Sequence, residues 1–222
     1  MMLVISWAAH TTFFHNMACK ASEAFSDATD FNLEDICIDT YDYFDKRSKR
    51  KSLLDEYAEF CEVEYRQVIN YVNTRWLSLE TVVRRNLDMY PALRSYFLFN
   101  SESMAKFKRL KKLYGNPVVE VYLLFYQAAL PTFTVINKFL QREDLCIYAA
   151  HEQLHGFVRR LLGKFVEISE MKAASRLEEG NYEDEGHQLT NSQIFVGLQT
   201  RQTVDRLVNE GLDERKRGAA GN

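Results

Sequence analysis

With 222 residues and 46% hydrophobic side chains, the chain can bury one large core or two small ones. A net charge of −3 exerts no global pull on nucleic acid or on an anionic membrane, so any such attraction must be local. The cysteines at 19, 37, 61 and 146 form no CxxC pair, which reads as reduced thiols of an intracellular protein. Met1 to Ala9 is apolar without a basic flank and does not read as a secretory signal. No run reaches about 18 uninterrupted apolar residues, so no transmembrane helix and no membrane partner are expected.

Taken in order, residues 1–14 show no period, and the pattern turns helical from His15. Asn32 can cap a helix whose inward face is Leu33, Ile36, Cys37, Thr40, Tyr41 and Phe44. Lys46, Arg47, Lys49, Arg50 and Lys51 follow, and a solvated helix junction is their simplest meaning. A second helix places Leu53, Leu54, Tyr57, Phe60 and Cys61 inward. Val63 to Val72 mixes helical and alternating spacing and stays ambiguous.

Thr74 can cap the next segment. Its stripe runs Trp76, Leu79, Val83, Leu87, Tyr90, Leu93 and Phe97 in steps of three and four. Composition alone makes Trp76 a core anchor. Pro91 predicts a kink or a new helix start. Asn100-Ser101 offers a cap to a short helix carrying Lys106, Lys108, Arg109, Lys111 and Lys112. Gly115-Asn116-Pro117 is the clearest break. Beyond it one helix buries Val118, Val121, Tyr122, Phe125, Ala129, Phe133, Ile136 and Leu140, with a kink expected at Pro131. Another runs from Leu145 toward Lys172 with Leu154, Phe157, Leu161, Phe165 and Ile168 on its face. Residues 178–187 are an acidic loop, Ile194 to Val208 reads as a last helix, and 213–222 as a disordered tail. The fold expected is all-α, an irregular bundle of roughly seven or eight helices.

His151-Glu152-Gln153-Leu154-His155 matches H-E-x-x-H, the zinc-hydrolase pattern in which two imidazoles share a helix face and the Glu polarises a metal-bound water. A third ligand is needed, and Glu170, Glu178, Glu179 and His187 stand in no second motif. The simpler meaning is a packing helix that holds no metal. The chain has no Gly-rich phosphate loop and no G-x-S-x-G elbow. No cofactor or small-molecule substrate is therefore expected.

A set of local segments resembles transposase-derived proteins of the hAT superfamily. They are His15-Asn16, Ala21 to Phe25, Tyr43-Phe44-Asp45 through Lys51, Tyr57 with Phe60-Cys61, Val72 to Leu79, Phe133 to Gln141, and Gln193 to Gly197 on to Gly211. The match covers about residues 15–212, with a subdivision expected near 115–117, and Thr74-Arg75-Trp76 is its most specific part. The resemblance implies a large helical insertion of an RNase H-like transposase, without the catalytic sheet whose three carboxylates bind metal. Trp7-Ala8-Ala9-His10 carries Trp where the family's Cys-x-x-His motif has Cys, so that motif is not carried over. In active relatives the Trp of this element contacts the DNA end, a role that maps onto Trp76 beside Arg75.

The function this implies is a truncated, catalytically inactive transposase-derived protein of the nucleus. It would bind DNA weakly through Arg75, Trp76, Lys46, Arg47, Lys49, Arg50, Lys51, Lys106, Lys108, Arg109, Lys111 and Lys112, or another protein through exposed apolar surface. The alternative is a helical protein-interaction scaffold without a DNA role. A zinc metallohydrolase acting through His151, Glu152 and His155 comes third.

Overall fold

The computed structural model describes residues 20–71, 76–142, 147–173 and 180–220, with side chains described except at 76–77, 147, 173 and 212–220. The fold is all-α. Among the described residues the only β feature is an isolated antiparallel bridge between Val166 and Gln188. The described residues divide into two units: one holds those within 20–130 and those from Gly197 onward, the other those within Pro131–Val196. Residues 115–117 lie inside the first unit rather than at a boundary.

The first unit opens with α1 (20–29) and α2 (Leu33–Phe44). Asn32 caps α2 as its sequence requires, accepting the Asp35 amide at 3.0 Å. The buried arc of α2 is wider than the expected stripe. It takes in Asp39 and Tyr43, while Tyr41 stays half-buried, because α3, α4 and α6 all pack against α2. Next comes α3 (Ser48–Phe60), which buries only Leu54 and Ala58. Phe60, expected inside, is 76% exposed. Its spacing is helical, but α3 packs mainly on α5, and the edge carrying Leu53, Glu56 and Phe60 is left over. Residues 63–71 form no regular element.

Met89 separates α4 (Trp76–Asp88) from α5 (Tyr90–Phe99), and Pro91 sits in the first turn of α5, where its missing amide costs nothing. Asn100 closes α5 instead of capping α6 (Ala105–Gly115), whose N-cap Met104 has no side-chain bond. Asn116 ends α6 and accepts the Val118 amide at 3.1 Å, so it caps the next helix with Pro117 between.

The hub of this unit is aromatic. The Phe97 ring lies 5.3 Å from Tyr43, 5.5 Å from Phe107 and 5.1 Å from Tyr114, centroid to centroid, joining α2, α5 and α6.

α7 (Val118–Leu140) stays helical through Pro131. Its first half buries Val119, Leu123, Tyr126 and Leu130, one residue round from much of the expected face. By length and composition α7 is long and apolar enough to cross a membrane. On this helix Tyr122 and Tyr126 meet Phe25 of α1, with ring centroids 5.3 and 5.0 Å apart. α10 (Leu198–Ala220) starts later than Ile194 and runs on through 213–220, which read as a tail. Gly197 sets its start: φ is +91°, and a Cβ there would lie 2.6 Å from that of Ala128. Arg206 of α10 reaches Glu120 at 3.1 Å.

The second unit contains α8 (Ile147–Leu162) and the short α9 (Ile168–Ala173), where the periodicity predicts one helix. The break follows Gly163, and the chain turns so that Leu189 donates to the Phe165 carbonyl at 2.7 Å and Glu167 to that of His187 at 3.0 Å. Phe165 and Ile168 are then 40% and 63% exposed rather than on a core face. His187 bonds the Asn181 carbonyl at 3.0 Å and lies 3.6 Å from Glu170, and that hydrogen bond, then the Glu170 charge, raises its pKa.

If the ring cluster holds the first unit together, Phe97→Ala should cost about 3–5 kcal/mol in urea denaturation. Phe60→Ser and Phe99→Ser should each cost under about 0.5 kcal/mol. Equal losses at Phe60 and Phe97 would contradict this packing.

Candidate functional site

Of the ten cations in the two basic stretches, the fold uses four internally. Tyr43 and Tyr96 are buried, so their hydroxyls need partners. They bond each other at 3.1 Å, and Tyr43 also donates to Glu102 Oε1 at 2.6 Å. Burial, and then the bond to Glu102, push the Tyr43 phenol well above its usual range, so it remains a donor. Glu102 in turn needs a cation. Arg50 supplies it at 2.8 Å, donates to the Tyr43 carbonyl at 3.0 Å, and lies 4.0 Å from the Tyr43 ring centroid.

A second network absorbs part of the α6 cluster. Asp39 is a buried carboxylate on α2; Arg109 pairs with it, and Lys106 lies 3.5 Å from it and 2.9 Å from Asp42. Lys111 Nζ donates to the carbonyls of Leu98 and Asn100 at 3.1 and 2.8 Å, closing the C-terminus of α5. Lys51 is half-buried. Lys46, Arg47, Lys49, Lys108 and Lys112 are exposed and, among the described residues, form no ion pair. Arg75 lies outside the described residues, as does the side chain of Trp76, the first residue of α4.

On α8 the H-E-x-x-H spacing does bring His151 and His155 together, with ring centroids 4.4 Å apart. Glu170 lies on α9 beside His187, and Glu178 and Glu179 are outside the described residues. Among the described residues no three His, Cys, Asp or Glu side chains converge as a metal would require. Cys37 is buried and pushed up to about 12, chiefly by burial, so its thiol is unreactive.

The feature that sequence reasoning missed lies on the outer face of α3 and α5. Arg50 meets Glu102, Asn100 bonds Tyr57 and Cys61 meets Ser95, an order that makes the two helices antiparallel. Along them Leu53, Glu56, Tyr57, Phe60 and Phe99 line an open groove of about 420 Å³. Phe60 and Phe99 are 76% and 74% exposed on its walls. The available signal was the carboxylates Asp55, Glu56 and Glu59 surrounding Phe60, which mark an exposed helix face. Helical spacing alone assigned Phe60 to the core.

No family model, no curated protein and no solved structure matches this chain.

The division of the cations predicts two kinds of lysine and arginine. Lys106→Gln with Arg109→Gln, which strands Asp39, should lower stability by about 1–3 kcal/mol. Lys108→Gln with Lys112→Gln should change it by under about 0.5 kcal/mol. Chemical denaturation of the two variants checks this; equal stabilities would contradict the buried Asp39 network.

Proposed function

We propose that this chain acts by binding, as a helical module of transposase-derived type, and that its main contact surface is the α3–α5 groove, which holds another protein. What carries this reading is the pair of large aromatic side chains, Phe60 and Phe99, standing in solvent beside one apolar groove. Two such rings exposed together lose hydrophobic free energy that a partner would recover, and buried aromatic anchors dominate the energetics of protein contacts. The reading assigns no chemistry to His151, Glu152 and His155.

A second reading, weak DNA contact, is favoured by the five exposed cations Lys46, Arg47, Lys49, Lys108 and Lys112. Such binding would be sequence-tolerant and lost steeply with salt. It ranks second because Arg50, Lys106, Arg109 and Lys111 already serve intramolecular partners. In either case the nuclear setting follows from the resemblance alone.

Hydrogen exchange of the full chain separates the two readings. An amphipathic helical peptide should slow exchange in α3 and α5, and a duplex oligonucleotide at low salt should leave those helices unchanged. Protection confined to residues 46–51 and 106–112, produced by the duplex and not by the peptide, would overturn the proposal in favour of the DNA reading.

A further inference from the structure

The groove identifies the chemistry of its occupant through the charge on α3. A helix is favoured by acidic residues in its first turn and basic residues in its last. α3 has the reverse: Lys49, Arg50 and Lys51 stand in its first turn, no basic residue stands in its last, and Glu56, Glu59 and then Glu62 crowd its C-terminal end. At the N-terminal end Glu102 offsets Arg50. At the other end no described residue forms an ion pair with Glu56, Glu59 or Glu62.

The neighbouring α5 makes the contrast plain. It too lacks a basic residue in its last turn, but Lys111 donates to the carbonyls of Leu98 and Asn100 there. The last carbonyls of α3 are answered by the chain itself, Cys61, Val63 and Glu62 donating to Tyr57, Ala58 and Glu59, so the negative charge left without a cation there is that of Glu56, Glu59 and Glu62, and it adjoins the groove at Glu56 and Phe60.

Resting on the reading that this groove holds another protein, we infer that its occupant is a cationic amphipathic helix of the partner. An apolar side chain lies between Phe60 and Phe99, and Lys or Arg stands against Glu56 and Glu59. Two antiparallel helices present a groove into which the side-chain ridge of a third helix fits. The apolar wall supplies affinity, and the acidic edge selects basic helices and speeds their encounter.

The test uses the full chain and two labelled helical peptides that share one Leu- and Phe-bearing face, with Lys on the polar face of one and Glu on that of the other. Fluorescence anisotropy should show the Lys peptide binding about five- to tenfold more tightly, with the preference shrinking as salt rises. Glu56→Gln with Glu59→Gln should reduce that preference to about twofold or less, while leaving apolar binding in place. Phe60→Ser with Phe99→Ser, at an unchanged urea midpoint, should abolish binding of both peptides. Equal binding of the two peptides, or preference for the Glu peptide, would overturn the inference and leave the protein-binding reading standing. Absence of binding by either peptide would overturn both. A dimer of the chain alone that Phe60→Ser dissolves would make the occupant a second copy, and would likewise overturn the inference.

Discussion

Around Phe97, tyrosines that are buried for their rings bring hydroxyls with them, and this constraint organises the contact of α2, α5 and α6. Phe97 sits among Tyr43, Tyr96, Phe107 and Tyr114, and three of those four rings end in a polar atom. An unbonded hydroxyl in a core costs about 1–3 kcal/mol, so each has to be answered locally. Thr40 answers Tyr114 at 3.0 Å, while Tyr96 and Glu102 answer Tyr43. Glu102 then requires Arg50. A basic residue that reads as a phosphate ligand in the sequence is in this way drawn into the support of an aromatic core.

The same logic extends along α6. Asp39 faces inward from α2 because the arc that α2 must bury is wider than a single stripe, and its charge brings Lys106 and Arg109 to it. Lys111 replaces a missing C-terminal cap on α5. The clustering of positive charge in the sequence therefore has a structural origin in good part, and what remains for a partner is a smaller set of cations and an apolar groove. The function proposed follows from that remainder: aromatic surface on α3 and α5 that the fold itself leaves uncovered.

Local patterns with a single physical cause were legible in the sequence. Asn32, Pro91 and Asn116 act through the chain immediately around them, and each stands at a helix start as its chemistry dictates. The stripe from Leu79 to Phe97 is mostly buried because helical spacing and tertiary environment agree there. Disagreement arose where spacing is ambiguous about facing. Phe60 and Leu54 lie on one periodic pattern, yet Leu54 is buried and Phe60 stands in solvent. The single helix expected from Leu145 to Lys172 divides at Gly163 because Phe165 and Glu167 engage the distant Leu189 and His187, contacts that no local window contains. The groove is not legible in any local window for a related reason: its two walls, Phe60 and Phe99, are brought together only by the antiparallel pairing of α3 and α5.

The account stands or falls on whether Arg50 belongs to the fold. A double-mutant cycle on Arg50→Gln and Glu102→Gln, read by urea denaturation and paired with a duplex titration of each variant, tests this most directly. The account predicts a coupling of about 1–3 kcal/mol between the two side chains, with duplex affinity little changed by Arg50→Gln. A coupling near zero, together with loss of duplex binding in Arg50→Gln, would contradict it and return the basic stretch to nucleic acid.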